Sequence, residues 1–594
     1  MSLQSFSSIW PAVLGSLAVL LLLSGLEDLI PVLICTLHRI RHRKPAIASS
    51  LGAFLADERR IAIFVPCWKE SAVIGNMVRH NLAAICYRNY DLFLGVYPND
   101  EPTLEVAAHL AETFRNVHVA ACPHPGPTSK ADCLNWIYQR MTMFEEAQGV
   151  RFDTVVLHDA EDLIHPEAFA VINRERATYA MVQIPVLPLP TPFGEFTHAV
   201  YCDEFAEFQL IDMLARQYSG SFIPSNGVGT GFARVILDRL ASERGNLVFD
   251  PASLTEDYEI GVHIHELGET QLFAPLTAGG KGFIATREYF PRTLRSAIRQ
   301  RTRWVTGIAL QCWERHGWGR TWRTRYWFWR DRKGLIANPL SLLTNLLFIA
   351  GAGDWLQSIY QHRPWAFAVA NPKILALCWL TLLLQSVRLT LRATYVARLF
   401  GPVFALGVPL RCFHGNLVNC CASLGAMWRY LHARLHRRPL VWLKTEHAYP
   451  GRDALLMHRR ELGEVLVASG YLSESQLAQV QSEMPPDAAL ADYLLTRGLL
   501  SDDDLCKAIS LQSGVPSARI DTRRVKPRIA RTLPAHVEQR FGIMPFSVEN
   551  GRLLVAGASV PPPDAFDELK SFTRLPIEFQ LVTKRNYQEL RALL

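Results

Sequence analysis

Residues 10–37, WPAVLGSLAVLLLLSGLEDLIPVLICTL, form an apolar run long enough to cross about 30 Å of hydrocarbon, interrupted only by Glu27 and Asp28. From residue 60 the pattern changes. Short β-rich runs, IAIFVP (61–66), LFLGVYP (92–98), VHVAA (117–121), TVVLH (154–158) and MVQIP (181–185), alternate with helix-length segments. That alternation predicts a parallel or mixed sheet with crossover helices. Apolar runs return at 335–353 and roughly 367–389, each close to spanning length. Residues 400–428 are also apolar, but Arg411, His414 and Asn416 sit centrally and basic HARLHRRP follows, predicting an interfacial or re-entrant pair rather than a fourth span. Beyond 436–452 an internal repeat appears: Leu462-Gly463 with Gly470, Leu472, Ser473 and Leu477 recurs as Leu490-Ala491 with Gly498, Leu500, Ser501 and Leu505. Each copy reads as a short helical hairpin, with serine opening the second helix. RLLVAGA (552–558) as a strand and FDELKSF as a helix complete a small α/β lobe.

Charge gives the spans a direction. HRIRHRK (38–44) follows the first run and no charged side chain precedes it in residues 1–9, so the N-terminus is expected outside. RTWRTRYWFWRDRKG (320–334) before the second span, and Arg388, Arg392 and Arg398 after the third, mark cytoplasmic flanks. A signal peptide is excluded by the length of the run, the lack of a small-residue cleavage site and charges that follow rather than precede it. A chain of 594 residues is too long for one core, and 49% hydrophobic with 20% charged residues fits a membrane enzyme between soluble enzymes and transporters. The net charge of +7 is clustered beside the apolar segments rather than in a nucleic-acid stripe, so no nucleic-acid partner is expected. Twelve cysteines without CxxC spacing indicate neither zinc nor disulfides.

Ligands of α/β sheets collect at the carboxyl ends of strands, so the polar residues after each run are the first candidates. After the first run, Glu70 begins a helix, where a carboxylate also complements the helix dipole. Asn99-Asp100 after the second is equally a turn. Gly126-Pro-Thr-Ser-Lys130 enters a helix from a loop, suiting a phosphate or an ordinary cap. Asp159, Glu161 and Asp162 crowd one strand terminus, which is unfavourable unless a cation neutralises them; oxygen ligands favour Mg2+ or Mn2+, and a solvated acidic loop is the alternative. In Thr255-Glu256-Asp257 a helix cap accounts for Thr255 and Glu256 and leaves Asp257 for chemistry. Gln300-Arg301-Thr302-Arg303-Trp304 lies in an arginine-rich helix that could equally be an interfacial anchor. His263 and His265 are two apart and share no helical face, so they make no metal pair.

The order strand-Glu, Asn-Asp, loop-Lys, Asp-x-Glu, Thr-Glu-Asp and Gln-x-x-Arg-Trp, followed by membrane helices, resembles the membrane-bound family-two glycosyltransferases with a GT-A fold over about residues 55–430. The resemblance implies that Glu70 and Asp100 contact the base and ribose of the donor, that Lys130 and Arg303 lie beside its nucleotide, and that Asp159 and Glu161 hold the metal and diphosphate. It makes Asp257 the catalytic base and places Glu256, Gln300 and Trp304 along the acceptor channel. Two departures stand out: Asn99-Asp100 instead of paired aspartates, and Glu161 where the family has aspartate, whose extra methylene shifts a bound cation. With one base and no second nucleophile, the expected outcome is inversion.

The tail resembles the MshEN domain of type II secretion ATPases, many of which bind cyclic di-GMP through twin RLGxxL motifs. That likeness marks Arg460, Leu462, Gly463, Leu466, Leu490 and Leu494 as cyclic di-GMP-binding, although Glu461 and Ala489 replace arginine and Ala491 replaces glycine; a packing or partner-docking domain is the alternative. A family-two transferase with one N-terminal span and this tail is similar to the bacteriophage adsorption protein B group. The similarity implies a multi-pass protein of the bacterial inner membrane with cytoplasmic catalytic and C-terminal domains. Such a protein would use a UDP-sugar donor and a saccharide or lipid-linked acceptor, with phage adsorption protein A as outer-membrane glycan export partner. The expected fold is an α/β GT-A glycosyltransferase domain, transmembrane and interfacial helices, and a mainly α plus small α/β MshEN-like domain. Its boundaries are 1–44 for the first span, 45–319 for the transferase, 320–435 for membrane helices, 436–455 for a linker and 456–594 for the regulatory domain. The rival reading is a non-catalytic membrane scaffold or partner-docking protein with a degenerate transferase domain, which the altered Asp-x-Glu keeps open.

Overall fold

The computed structural model describes residues 3–41, 58–277, 282–440 and 461–593, except 469, 470, 473, 486, 487, 514, 534 and 550. The chain forms two compact units, one of residues 1–74 and 89–450, the other of 75–88 and 451–594.

The first unit is built on a seven-stranded mixed sheet ordered β3-β2-β1-β4-β7-β5-β8. Its strands are β1 (Ile61–Pro66), β2 (Tyr90–Val96), β3 (Val117–Ala121), β4 (Thr154–Leu157), β5 (Met181–Gln183), β7 (Thr230–Ala233) and β8 (Gln271–Phe273); β6 (Val186–Pro188) and β9 (Thr286–Glu288) pair separately. The four strands β3, β2, β1 and β4 run parallel, and β7 is inserted antiparallel between β4 and β5. Every residue of β2, β4, β5 and β7 is buried, as expected of strands covered on both faces. All five β-rich runs of the sequence contain strands, and the ends of β1, β2 and β4 lie side by side because these neighbours are parallel.

Among the described residues, three helices or helix pairs are long and apolar enough to cross a membrane: Pro11–Arg41, Trp322–Tyr360 and Pro372–Phe400. The first bends at Leu29, directly after the two acids that interrupt it. Both acids are paired. Arg330 donates to Glu27 at 3.0 Å and to Asp28 at 3.3 Å, Arg388 lies 2.9 Å from Asp28, and Lys333 contacts both. A carboxylate at a bilayer edge is costly unless neutralised, and here the partners come from the basic flanks of the other two spans.

Residues 400–428 add no fourth candidate span among the described residues: they form a short helical turn, Pro402–Ala405, and most of one continuous helix, Val408–Leu435. Its central polar residues face protein rather than a headgroup layer. Arg411 makes a bidentate pair with Asp203 at 2.8 Å through each nitrogen, His414 meets Thr197, and Asn419 donates to Glu204, all on the helix Phe196–Glu207; Asn416 contacts Asn345.

The second unit contains the repeat as two helical hairpins, Leu462–Ala468 with Glu474–Glu483 and Leu490–Thr496 with Asp502–Ser513. Ser501 accepts from Asp504 N at 3.1 Å and so caps its helix, whereas its counterpart Ser473 lies outside the described residues. A three-stranded sheet, β10 (Ile543–Glu549), β11 (Arg552–Gly557) and β12 (Ile577–Leu581), with the helix Pro563–Phe572, forms the α/β lobe. Most of the linker 436–455 lies outside the described residues.

Candidate active site

The loop after β1 is fixed by the start of the next strand's helix. Asp100 accepts from Lys69 N at 2.5 Å and Thr103 from Glu70 N at 3.0 Å, so Glu70 and Asp100 sit side by side. The helix expected at Glu70 starts later, at Ile74, and the Glu70 carbonyl accepts from Val73 and Ile74 N. Asn99, where paired aspartates were expected, exchanges two hydrogen bonds with the Gly126 backbone, at 2.7 and 2.6 Å. Gly126 itself lies under Trp68, whose ring a β-carbon there would approach to 2.6 Å. Asparagine thus serves the loop that leads to Lys130, where Ser129 caps the helix Lys130–Gln148.

Lys130 is the electrostatic centre. Its Nζ lies 2.6 Å from Asp159 Oδ1. Burial disfavours its charge, but Asp159, Glu256 and Asp257 outweigh that and raise its pKa. Acids from two separate segments of the chain therefore act on one cation. On the acidic turn after β4, Asp162 accepts from Asp159 N at 3.0 Å and pairs with His158 Nδ1 at 2.7 Å. Burial drives His158 down to about 3, so a neutral ring anchors the turn from inside. Cys67, fully enclosed, is pushed well up by burial and then by the negative charge of Glu70, Asp159, Glu161 and Asp100. Those four carboxylates thus share one neighbourhood at the strand ends.

Opposite them, Glu256 and Asp257 open the helix Glu256–Glu266. The capping account of Thr255 does not hold: it occupies the cap position, but its hydroxyl makes no cap bond. Nor is Glu256 a solvated first-turn acid. It is buried, and burial together with Asp257 raises it to about 7. Burial also raises Asp257, against the pull of Lys130 and Arg303. Arg303 Nη1 donates to the Leu254 carbonyl at 3.4 Å, bringing the helix Leu294–Val305 onto the same segment. Gln300 is buried with its Oε1 unpartnered, and Trp304 lies 6.1–6.4 Å from Tyr201, Phe205 and Phe290.

Asp159 and Glu161 are suited to a hard cation, which commonly takes one or two carboxylates and fills its other positions with substrate phosphates and water. No group of three His, Cys, Asp or Glu side chains suited to a metal occurs among the described residues. The donor set therefore fits a cation that arrives with a diphosphate, and Lys130 competes with it for Asp159.

Sequence reasoning missed several residues here. Arg301, inside the Gln-x-x-Arg-Trp segment, pairs with Glu204 at 2.5 Å and donates to Asn419 at 2.6 Å, tying the segment to two membrane-side helices. The loop Ser225–Gly229 lies against Asp257, and its Asn-Gly step was the available signal.

In the second unit the cyclic di-GMP residues are placed differently. Leu466 and Leu494 are fully buried in the hairpin core, with Leu462 and Leu490 packed against it. Gly463 lets Leu477 approach to 2.8 Å of where a β-carbon would stand. Arg460 lies outside the described residues.

Residues 58–307 match the model of the glycosyltransferase-like family 2, and residues 513–592 that of the MshEN domain. Bacteriophage adsorption protein B of Escherichia coli (strain K12) is 33% identical over 572 residues, covering 91% of this chain and 76% of that protein. The chain belongs to the bacteriophage adsorption protein B family. Its tail is 25% identical over 135 residues to the type IV pilus assembly ATPase PilB of Thermus thermophilus, 22% of this chain and 15% of that one. Among solved structures, a mannosyltransferase from Pyrobaculum calidifontis in complex with GDP-Man and Mn2+ aligns with a TM-score of 0.42 at 16% identity, over 70% of this chain and 99% of its own. The first unit is a family-two glycosyltransferase on a GT-A-like sheet, and the protein is an enzyme. The residues expected to contact cyclic di-GMP, between 460 and 494, precede the segment that the MshEN model matches.

Proposed function

We propose that this enzyme is an inverting, metal-dependent glycosyltransferase that moves a sugar from a UDP-linked donor onto a growing saccharide at the cytoplasmic face of a bacterial inner membrane. The observation that carries the reading is the arrangement around Lys130, which pairs with Asp159 of the acidic turn and feels the charge of Glu256 and Asp257. In this reading Glu70 and Asp100 hold the nucleoside. Lys130 and Arg303 lie where they lower the charge of a departing diphosphate. Asp159 and Glu161 would hold a divalent cation, which when bound would supply further Lewis-acid stabilisation of that group. Asp257 accepts the proton of the acceptor hydroxyl as that oxygen attacks the anomeric carbon from the face opposite the leaving group, which inverts the configuration. Gln300 and Trp304 line the acceptor path, the indole offering a flat face to a sugar ring.

We further propose that the product is a surface or exported glycan passed to an outer-membrane partner, and that the C-terminal unit binds cyclic di-GMP to regulate synthesis. The twin hairpins and the MshEN match support the second point.

Full-length protein in detergent, incubated with a panel of UDP-sugars and Mg2+ or Mn2+, tests the catalytic reading. One donor should be turned over by the wild type and not by Asp257→Asn. Equal product from both removes Asp257 from the chemistry, and turnover undiminished by chelator removes the cation.

A further inference from the structure

We propose that two buried glutamines outside the family-like motifs, Gln183 and Gln311, are positioning residues that fix the Asp257 carboxylate from opposite sides. This rests on the reading of Asp257 as base.

Gln183 ends β5 and is fully buried. Its Oε1 accepts from Asn226 N at 2.9 Å and from the Thr230 hydroxyl at 2.6 Å, while its Nε2 donates to the carbonyls of Ile184 and Val228 at 2.8 and 2.9 Å. The amide has no bonding capacity left. What it holds is the arch from Ser225 to Thr230, closed further by Ser225 Oγ, which accepts from Gly227 N at 3.1 Å and meets Thr230 Oγ1 at 2.8 Å. The arch turns through left-handed glycines, Gly227 at φ +79° and Gly229 at φ +61°. At Gly227 it passes directly beneath the base, where a β-carbon would lie 2.4 Å from Asp257 Oδ2. The carboxylate therefore rests on bare backbone whose height Gln183 sets.

Gln311 acts on the other side. It closes a π-helical turn, Thr306–Gln311, that interrupts the helix running from Arg303 towards the membrane helices. Its Oε1 accepts from Leu254 N at 2.9 Å and its Nε2 donates to the Ala252 carbonyl at 2.7 Å. Gly307 of the same turn admits Thr255, whose hydroxyl would sit 2.4 Å from a β-carbon there. The extra residue of a π turn re-aims side chains, and here the turn holds Ala252, Leu254 and Thr255, just ahead of Glu256 and Asp257. One clamp sets the floor beneath the carboxylate and the other sets the start of the helix that bears it. A base must stand within a few tenths of an ångström of its proton, and a displacement of about 1 Å costs on the order of 10²-fold in rate.

The test uses the full-length protein and the UDP-sugar selected by the donor panel. Gln183→Met and Gln311→Met retain length and remove every hydrogen bond of the side-chain amide, and Gly227→Ala adds one carbon at the carboxylate. Each should lower kcat by roughly 30- to 100-fold, leave the donor KM within about twofold, and move the acidic limb of the kcat–pH profile, with the unfolding midpoint retained. Gln311→Glu keeps the acceptor for Leu254 N and should recover part of the rate. Unchanged kcat in folded variants overturns the inference, as does a loss that only tracks the folded fraction with an unmoved pH limb. Full activity in Asp257→Asn would instead overturn the base assignment. An inactive Asp257→Asn beside fully active glutamine and glycine variants would remove the clamps alone.

Discussion

The two units use residues that sequence motifs single out in opposite ways. In the transferase unit the candidates are mostly charged and come from separate stretches of chain, and the ionisation of Lys130 answers to Glu256 and Asp257 as theirs does to Lys130. In the C-terminal unit they are leucines and a glycine within one pair of hairpins, and they form the core that the hairpins share. Removing one from the first should erase chemistry while sparing the fold. Removing one from the second should loosen the fold before any ligand is considered.

The largest effect expected is on the first side. Asp257→Asn should cut kcat by about 10²- to 10⁴-fold with an unchanged or higher unfolding midpoint, read by steady-state transfer and differential scanning calorimetry. A lowered midpoint would show the carboxylate to be structural and break the contrast. Next, Leu466→Ala or Leu494→Ala should destabilise the hairpins by about 2–5 kcal/mol, visible as faster hydrogen exchange across 462–512, with transfer by the first unit retained. Unchanged exchange would mean that these leucines are available to a ligand after all.

A smaller effect should separate the acids of the first side from each other. Glu256 is raised to about 7, so the folded protein keeps a proton that the unfolded chain releases above its ordinary value. Its contribution is most favourable in acid and is lost as pH rises towards 7, so the wild type should lose stability from pH 5 to pH 8. Glu256→Gln should flatten that slope in thermal unfolding measured across the range, and an unaltered slope would place the titration elsewhere. The smallest effect is Gly463→Ala, where a helical gain of about 1 kcal/mol offsets crowding of the flexible Leu477. Binding of labelled cyclic di-GMP abolished by this near-neutral change would bring the second unit back towards the first, as a surface that depends on backbone access.

Much of the sheet was legible because β-rich runs between helical segments leave a periodic trace, and Asp159 and Glu161 stood out because an apolar strand feeds directly into them. The acids at 256 and 257 were visible as a motif, but the depth at which Glu256 lies was not, since burial depends on Lys130 and on a helix arriving from residue 294 onward. Gln183 and Gln311 left no trace: most of their partners are backbone groups 43–59 residues away, and no residue type marks a carbonyl in advance. The partners of the polar residues on the helix Val408–Leu435 were hidden for a related reason. Arg411, His414 and Asn416 look like headgroup ligands when only their own segment is seen, and take ion-pair and hydrogen-bond partners once the helices Phe196–Glu207 and Trp322–Tyr360 are beside them.

The paired acids at the bend of the first apolar helix also constrain how the molecule is made. Glu27 meets Arg330 across 303 positions, and ribosomes add roughly 5–20 residues per second. For roughly 15–60 s the earliest segment therefore waits with two uncompensated carboxylates, and the whole transferase sheet is synthesised before the guanidinium arrives. Closing that ring of charge is a late event in biogenesis, and it completes only when the segments on both sides of the enzyme have been delivered to the same place.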